Sequence, residues 1–356
     1  MKVLLLSRYG PLGASSRLRF LQYLPHFRSQ GLEVRVQPLL SDSYLQALYD
    51  GGSRWREVLK GLIARVWALL GARRYDVVII EKELFPFLPA FAERFLGFLG
   101  VPYVVDYDDA LFHRYDCHTN PWVRRLLGKK IDVVMRLASC VVAGNEYLAA
   151  RGRQAGARRV EVIPTVVDAS RYQPVQKPEI GELIVGWIGT PQTSRYLVPL
   201  LPVFESLKQK MPVRFVAVGA NQSGFEGSAV EAWPWSEDSE VKSVQQFDIG
   251  IMPLEDSPWE RGKCGYKLIQ YMATRVPVVA SPVGVNVDIV SNSQCGLLAA
   301  TADEWETALG RLLSDREVRQ DYGRAGRQAV ERTYSLDAQK AVFERVVVHA
   351  ATGVEA

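Results

Sequence analysis

The sequence begins the same kind of structural unit twice. An apolar run, a polar loop with glycine and a segment of helical period follow one another in KVLLLSRYGPLGASSRLRFLQYLPHF, which starts at Lys2. The same order recurs in LIVGWIGTPQTSRYLVPLLPVFESL, which starts at Leu183. Strands that are apolar on both faces are typical of parallel sheets covered by helices on both sides. The chain is therefore predicted to be an α/β protein with two such sheets.

Further apolar strands alternate with helical segments in both halves. They are predicted at residues 32–39, 75–81, 101–108, 140–145 and 159–168 in the first half, and at 213–220, 247–254, 276–284 and 295–300 in the second. The seam is the segment YQPVQKPEIGE, Tyr172 to Glu182, which holds two prolines, a glycine and several charges, as a linker does.

These boundaries predict three parts. An N-terminal domain covers 1–172, a C-terminal domain covers 173–335, and a last helix at 336–356 packs back toward the N-terminal domain. We expect two Rossmann-like domains facing each other across a cleft. Ligands of such sheets bind at the carboxyl ends of the strands, so the cleft is the expected active site.

Composition and charge narrow the class of protein. The 356 residues are 48% hydrophobic and 23% charged, which suits two globular domains. A net charge of +4 without a basic and aromatic platform gives no support for a nucleic-acid partner. The four cysteines lie far apart, which predicts reduced thiols, a cytoplasmic location and no bound metal. No apolar run reaches the length of about 18 residues that a membrane-spanning helix needs.

The loop GWIGTPQTSRYL is a candidate phosphate site. Gly189 follows a buried strand and lets the backbone approach a ligand, and Thr193 or Ser194 is predicted to cap the next helix. Free N–H groups at that helix start favour an anion, and Arg195 adds a full charge. The alternative is an ordinary turn between a strand and a helix.

A second candidate is WERGKCGYKLIQYMATRVPVVAS, from Trp259 to Ser281. A helix is predicted to begin near Gly265, which places Lys263 and Lys267 at its positive end. Positive charge at the positive end of a helix is unfavourable by some tenths of a kcal/mol. A bound diphosphate would offset this unfavourable interaction. The alternative is a pair of solvated lysines on an exposed turn.

These motifs give the chain a resemblance to the GT-B-fold retaining glycosyltransferases of family 4. The first strand with its loop, VIPTVVD, GWIGTPQTSR, KLIQYMATRVPVVASPVG and the closing helix match in order, most specifically from Gly189 to Gly284. The resemblance implies transfer of a hexose or other sugar from a nucleotide sugar, a UDP- or GDP-sugar, to a glycan or lipid-linked acceptor in polysaccharide biosynthesis. It also implies retention of configuration, with no metal and no cofactor.

The family commonly carries two glutamates separated by seven residues. In this sequence they fall on Gly262 and Gln270, so both positions depart from the pattern. An amide both accepts and donates, so Gln270 still suits the ribose hydroxyls. Glu260 is the candidate to replace the first glutamate.

The family's phosphate-binding pair falls on Thr190 and Arg195, of which only Arg195 keeps its charge. Lys263 or Arg261 is the hypothetical replacement for the charge missing at Thr190. Trp235 is expected to lie beside the base.

The run VPYVVDYDDALFHRYD adds an acidic cluster, because Asp106, Asp108 and Asp109 close a buried strand. One interpretation is catalytic: Asp108, Asp109 or His113 orients or deprotonates the acceptor hydroxyl, with Asp109 and His113 sharing a face if the segment is helical. A second is structural, with Asp109 capping the turn. A third makes Asp106 and Asp108 a metal-binding DxD of a GT-A-like transferase.

The acceptor side is predicted from the first half of the chain. Gly13, Arg17 and Arg19 belong to or follow the first loop, and Glu81 and Lys82 end a strand. Surface salt bridges are the alternative for the charged residues. Two further classes of function stay open, a nucleotide-sugar epimerase and a non-catalytic binding partner.

The segment RWREVLKGLIARVWALLGARR, 54–74, is a helix with an apolar stripe at spacings of three and four residues and basic flanks. Burial of the stripe against the sheet is one interpretation, with snorkelling arginines. Contact with an anionic membrane, at its inner face, is the other.

Overall fold

A computed structural model describes residues 1–49, 51–177 and 181–353. The chain forms two compact units. The first comprises Met1–Thr165, Gly262–Cys264 and Gln339–Ala356, and the second comprises Val166–Arg261 and Gly265–Ala338. Part of the predicted seam, 178–180, lies outside the described residues.

The first unit contains a six-stranded parallel sheet in the order β2-β1-β3-β4-β5-β6. Its strands are β1 (Lys2–Leu6), β2 (Glu33–Val36), β3 (Val77–Glu81), β4 (Tyr103–Tyr107), β5 (Cys140–Ala143) and β6 (Val160–Val162). The three strands β3, β4 and β5 are buried along their whole length, because helices cover both faces of the sheet. The register pairs Glu81 with Asp106, which brings the acidic ends of two strands together.

Within the described residues, helices of the first unit connect or follow these strands in chain order. They are α1 (Ala14–Arg19), α2 (Leu24–Ser29), α3 (Asp42–Tyr49), α4 (Trp55–Leu70), α5 (Phe91–Phe98), α6 (His113–Asp116), α7 (Pro121–Leu127), α8 (Lys130–Leu137) and α9 (Glu146–Gln154), with 3₁₀ turns at Leu21–Tyr23 and Ala72–Arg74.

The second unit repeats this plan with a parallel sheet in the order β12-β11-β10-β7-β8-β9. Its strands are β7 (Leu183–Ile188), β8 (Val213–Val218), β9 (Val230–Trp233), β10 (Ile249–Met252), β11 (Val278–Ala280) and β12 (Gly296–Leu298). Its helices are α10 (Leu201–Lys210), α11 (Glu237–Gln245), α12 (Pro258–Arg261), α13 (Tyr266–Ala273), α14 (Val285–Ser293), α15 (Ala302–Ser314) and α16 (Arg316–Ala329), with 3₁₀ turns at Ser194–Leu200 and Gln222–Gly224 and a π turn at Val330–Tyr334.

The two sheets confirm the predicted α/β class with two Rossmann-like units. Each predicted strand is present, and β9 is an additional strand that the sequence did not predict. It is a short edge strand with β8 as its neighbour, so its apolar pattern is weak.

Each sheet reverses its strand order at one place. In the first unit this switch lies between β1 and β3, and in the second it lies between β7 and β10. Loops that leave such neighbouring strands in opposite directions open a crevice at their carboxyl ends, where ligands of open α/β sheets bind.

The last helix, α17 (Leu336–Thr352), belongs to the first unit from Gln339 onward. Its Phe343 side chain lies against three aromatic rings that follow β1. The ring centroids are 5.1 Å from that of Tyr23, 5.6 Å from Phe27 and 6.2 Å from Phe20. This helix therefore packs against the helical segment between β1 and β2 through an aromatic cluster.

Helix α4 does not bury its whole apolar stripe, which corrects the interpretation of an ordinary core helix. Arg65 and Leu69 are buried, whereas Trp55, Ile63 and Trp67 are exposed. Over the described residues, no helix is both long enough and apolar enough to cross a bilayer.

Candidate functional site

A buried carboxylate occupies the switch point of the first sheet. Glu81, the last residue of β3, accepts hydrogen bonds from Arg8 N at 2.7 Å, Ser16 Oγ at 2.6 Å and Ser15 Oγ at 3.0 Å. Burial raises the pKa of this carboxyl. Glu81 therefore fastens the loop after β1 to the end of β3 rather than forming a surface salt bridge.

Lys82 follows Glu81 in a left-handed backbone conformation, with φ of 65°. Such a conformation costs a non-glycine residue about 1–3 kcal/mol and is typical of functional sites. The Lys82 ammonium lies 2.7 Å from Asp108 Oδ1 and 3.2 Å from Asp109 Oδ2. Burial opposes its charge, but the two carboxylates outweigh that effect and raise the pKa of Lys82. The turn thus aims a permanent cation at the acidic loop after β4.

Asp108 is held as an ionised carboxylate. Burial opposes ionisation, but Lys82 outweighs it and lowers the pKa of Asp108 to about 2. Ser15 Oγ also donates to Asp108 Oδ2 at 2.8 Å. A carboxylate with so low a pKa is a weak base, whereas Asp109, with its side chain 31% exposed, is the more accessible of the two.

Asp106 forms a buried ion pair with Arg19. Arg19 Nε donates to Asp106 Oδ2 at 3.0 Å, and Arg19 Nη2 donates to the other oxygen. Arg19 also donates to Ile163 O at 2.9 Å, so it holds the carboxyl ends of β4 and β6 together. Arg19 therefore positions Asp106 instead of reaching toward an acceptor. Asp106 and Asp108 thus pair with different cations, Arg19 and Lys82.

His113 begins α6, and Asp109 lies before that helix, so the two do not share a helix face. The His113 ring nitrogens lie 2.8 Å from Asp116 Oδ1 and 2.8 Å from Tyr147 OH. His113, Asp116 and Cys117 bring three potential metal ligands within 4.8 Å of one another. Arg151 lies 3.2 Å from Asp116 Oδ2 and already supplies positive charge there.

The remaining acceptor-side candidates belong to the loop after β1. Gly13 precedes α1 and lies against Tyr9. Arg17 is half-buried, and its Nη1 donates to Pro11 O at 3.3 Å. Gly13 and Arg17 therefore lie near the switch point of the first sheet, and their role at an acceptor stays a prediction.

In the second unit, the loop after β7 is held by contacts and hydrogen bonds within its own segment. Gly189 lies against the buried Trp187 ring, and its N–H donates to Val218 O. Thr193 Oγ1 accepts from Thr190 N at 3.1 Å, so Thr193 does not cap the following helix as predicted. Ser194 is likewise not a cap, because it begins a 3₁₀ turn and its hydroxyl donates to Pro191 O.

Arg195, in the same loop, lies beside a buried acid. Its Nη2 is 3.7 Å from Glu260 Oε1, and its guanidinium lies 5.0 Å from the centroid of the Tyr196 ring. The Tyr196 and Ser257 hydroxyls both donate to Glu260. The loops after β7 and β10 thus meet through this cluster at the switch point of the second sheet.

Helix α13 begins where the sequence predicts. Its N-cap is Gly265 in a left-handed conformation, with φ of 65°, which glycine adopts without strain. Lys267 in the first turn lies with Nζ 5.5 Å from the centroid of the Trp187 ring. A cation and a helix N-terminus are therefore brought to the glycine loop after β7, which is a suitable environment for an anion.

One turn further along α13, Gln270 is buried and donates to Tyr172 OH at 2.8 Å. The Tyr172 hydroxyl donates in turn to Glu240. Trp235 Nε1 donates to the other oxygen of Glu240 at 3.0 Å. A chain of hydrogen bonds therefore joins Gln270 to Trp235, the two residues expected at the ribose and at the base.

Both units match known sequence families. The family described as "Glycosyl transferase 4-like domain" matches residues 4–165, and the family described as "Glycosyl transferases group 1" matches residues 182–315. The chain belongs to the group 1, family 4-like glycosyltransferases. No curated protein matches the sequence of this glycosyltransferase.

Solved structures share the fold of this glycosyltransferase. Sucrose-phosphate synthase from Thermosynechococcus elongatus has a TM-score of 0.72 at 14% identity, over 99% of this chain and 100% of that one. HepE from Anabaena in complex with UDP-glucose has a TM-score of 0.67 at 15% identity, over 99% and 100%. WaaG, a glycosyltransferase involved in lipopolysaccharide biosynthesis, has a TM-score of 0.64 at 14% identity, over 98% and 99%. At these identities the likeness shows the GT-B fold.

The structure explains why this glycosyltransferase has glycine at position 262. A Cβ there would lie 2.5 Å from Ala110 Cβ and 2.7 Å from Ala110 N, so a glutamate does not fit. Asn145 Nδ2 donates to Gly262 O at 3.1 Å and to Lys263 O at 2.9 Å. By its contacts Lys263 therefore belongs to the first unit.

Sequence reasoning about this glycosyltransferase missed part of the site. Trp187 and Tyr196 carry the rings beneath the two cations, and Ser15 and Ser16 bind Glu81. The aromatic residues next to Gly189 and Arg195 were the available signal. For the serines, the signal was their place directly after a glycine loop.

Proposed function

We propose that this glycosyltransferase transfers a sugar from a nucleotide sugar to a glycan or lipid-linked acceptor. One observation carries the proposal: two cations belong to the segments that follow β7 and β10 at the switch point of the second sheet. Arg195 lies in the segment after β7 against Tyr196, and Lys267 lies in the first turn of α13 over the Trp187 ring of β7. A diphosphate is the anion that fits two cations and a helix N-terminus together.

We assign the donor to the second unit. The Gly189 loop and Lys267 bind the diphosphate, with Thr190 and Arg195 at its edge. Gln270 binds the ribose, and Trp235, 42% exposed, stacks on the base. Glu260 takes the place of the glutamate that Gly262 excludes and binds the transferred sugar. The complexes of HepE with UDP and with UDP-glucose support a UDP-sugar, and a GDP-sugar is the alternative.

We assign the acceptor to the first unit, at the loops that carry Gly13, Arg17, Lys82 and Asp109. The acceptor hydroxyl oxygen bonds to the anomeric carbon while the bond from that carbon to the diphosphate oxygen breaks. The hydroxyl proton passes to the leaving diphosphate or to Asp109, whose Oδ2 lies 3.2 Å from Lys82 Nζ. The transfer retains configuration and uses no metal, because basic side chains and the helix end balance the leaving charge.

We place the reaction in the cytoplasm, in polysaccharide biosynthesis, with residues 54–74 in contact with the inner face of a membrane. A lipid-linked acceptor makes such contact useful, because enzyme and acceptor then share one surface. Four reduced cysteines agree with this compartment.

The test is a thermal-unfolding screen of the full chain with UDP-, GDP-, ADP- and dTDP-sugars. A ligand at about 100 times its Kd adds about 2.7 kcal/mol of stability, which corresponds to several degrees in Tm. The sugar that responds is then incubated with candidate acceptors. No response to any nucleotide sugar contradicts the proposal.

Two other outcomes assign a different function. Conversion of the donor sugar without an acceptor identifies an epimerase. Binding of a nucleotide sugar without transfer to any acceptor identifies a non-catalytic binding partner.

A further inference from the structure

Helix α4 is turned with a charged residue toward the sheet and its large apolar residues toward solvent. Arg65 is 1% exposed, and its Nε donates to Gln37 Oε1 at 2.6 Å while Nη2 donates to Ser7 O. Its exposed apolar side chains are Trp55, Leu59, Ile63, Val66, Trp67 and Leu70. A helix that only completes a core has the opposite arrangement.

Two more helices of the first unit share this feature. In α5, Ala92, Glu93 and Leu96 are buried, while the exposed residues Phe91, Phe95 and Phe98 recur at helical spacing. Phe98 is 83% exposed. In α7, the exposed apolar residues are Trp122 and Leu126.

The three helices lie on the same side of the first sheet. The connections from β2 to β3, β3 to β4 and β4 to β5 cross the sheet in one direction, and right-handed crossovers place their helices on one face. Arg73 Nε donates to Leu99 O at 3.4 Å, which joins the ends of α4 and α5. The rings of Phe87 and His118, with centroids 6.4 Å apart, join the segments before α5 and α7. We call the exposed apolar residues of α4, α5 and α7 the outer apolar face.

Positive charge surrounds the outer apolar face. The acids within the three helices are Glu57, whose Oε1 lies 2.7 Å from Lys60 Nζ, and the buried Glu93. The exposed cations within the same helices are Arg56, Lys60, Arg94, Arg124 and Arg125.

This charge decides between possible occupants of the face. A second copy of the chain in a symmetric contact would bring two sets of these cations together, which is unfavourable. An anionic lipid surface attracts them instead, and tryptophan and phenylalanine side chains enter the boundary between headgroups and acyl chains. Monomeric soluble proteins rarely expose so many contiguous large apolar side chains without a partner.

We propose that the outer apolar face binds an anionic lipid bilayer. The proposal rests on the membrane contact proposed above and extends it from one helix to a surface of three. The basic side chains supply long-range attraction to anionic headgroups, and the aromatic side chains supply insertion. Binding therefore needs neither nucleotide nor acceptor, so it is measured independently of glycosyl transfer.

The test is co-sedimentation of the full chain with extruded vesicles of phosphatidylcholine, with or without about one quarter phosphatidylglycerol. The variant Trp67→Glu/Phe98→Glu places acids on two helices of the face. The matched control is Val175→Glu, which adds an acid at an exposed apolar residue of the second unit. Wild type and control are expected to bind anionic vesicles at least about tenfold more tightly than the double variant does. Wild type is also expected to bind anionic vesicles at least about tenfold more tightly than vesicles of phosphatidylcholine alone. Binding weakens as salt rises from about 20 to about 500 mM.

Unchanged sedimentation of the double variant, or no binding of wild type to anionic vesicles at low salt, overturns the proposal. A wild-type dimer that Trp67→Glu/Phe98→Glu dissociates also overturns it, by assigning the face to a second copy. Circular dichroism and Tm show whether the variant is folded. Nucleotide-sugar stabilisation that persists in the double variant separates failure of this inference from failure of the proposed function.

Discussion

The guanidinium of Arg195 lies 3.7 Å from the carboxylate of Glu260, and the two side chains differ in their access to solvent. The Glu260 side chain is 4% exposed and the Arg195 side chain is 64% exposed. A buried acid held by two hydroxyls is fixed in place, whereas an exposed arginine adapts to a ligand. We therefore assign Glu260 to the sugar and Arg195 to the diphosphate.

Glu260→Gln is expected to lower kcat/KM for transfer about 10–100-fold while the Kd for the free nucleoside diphosphate stays within about twofold. The amide oxygen still accepts from one of the two hydroxyls and the amide NH2 donates to the other, but the charge beside the sugar is lost, and a charged hydrogen bond is worth about 1.5–3 kcal/mol. Steady-state kinetics and titration calorimetry measure the two quantities. The exposed Glu226→Gln is the control. Equal loss of nucleotide affinity would place Glu260 elsewhere in the site.

Lys267→Ala is expected to weaken binding of the nucleoside diphosphate about 10–100-fold and to leave binding of the nucleoside itself unchanged. The ammonium lies over Trp187 at the start of α13, where we propose that it binds the phosphate groups and not the base. Calorimetric titration with both ligands measures the difference. Lys242→Ala, at an exposed lysine of α11, removes the same charge from another part of the unit. If this control weakens the diphosphate equally, the effect is one of net charge.

Gly262→Ala is expected to destabilise the first unit by about 1–3 kcal/mol, because the added methyl group would meet Ala110 at 2.5 Å. Gly97→Ala in α5 is the control, since no atom lies within 4 Å of a Cβ placed there. That change is expected to be neutral or to stabilise by up to about 1 kcal/mol. Denaturant unfolding of both variants makes the comparison. Similar free energies of unfolding for the two would contradict the close approach of Gly262 to Ala110.

Asp108 is expected to make stability depend on pH in the acid range. Its pKa is about 2 in the folded chain, against 3.8 for an ordinary Asp carboxyl. Between these values the unfolded chain takes up the proton and the folded chain does not, so this contribution is full above about pH 4 and is lost toward pH 2. It amounts to on the order of 2 kcal/mol.

The measurement for Asp108 is urea unfolding of wild type and Asp108→Asn between about pH 6 and pH 2.5. The difference between their free energies of unfolding is expected to be largest near neutral pH and to shrink below pH 4. A difference that stays constant with pH would show that the Asp108 carboxyl is not stabilised in its charged form.

The sequence was sufficient to predict the fold class and most strands, because an apolar run bounded by glycine or proline is a local signal. It did not reveal β9, whose four residues VEAW include one that is buried. The order of the strands could not be predicted from the sequence either, because the position of β7 between β8 and β10 depends on contacts between residues that are far apart in the chain.

The site was predicted where the chemistry is local and missed where it depends on packing. Helix period identified the stripe of α4 but not that Arg65 faces inward, which Gln37 and Ser7 determine. The glycine at 262 was a visible departure, but its cause, Ala110, lies 152 positions earlier in the chain. The hydrogen bond that Glu260 accepts from Tyr196 joins residues 64 positions apart, so the sequence did not reveal it.

The aromatic cluster of Phe343 with Phe20, Tyr23 and Phe27 has a consequence for the order in which the chain is made. The ribosome makes Phe343 long after its three partners, so these partners emerge without the ring that covers their aromatic face. We expect the first unit to remain incomplete until α17 has been synthesised. A fragment that stops at Thr165 would keep that face open to solvent and would aggregate more readily than the whole chain.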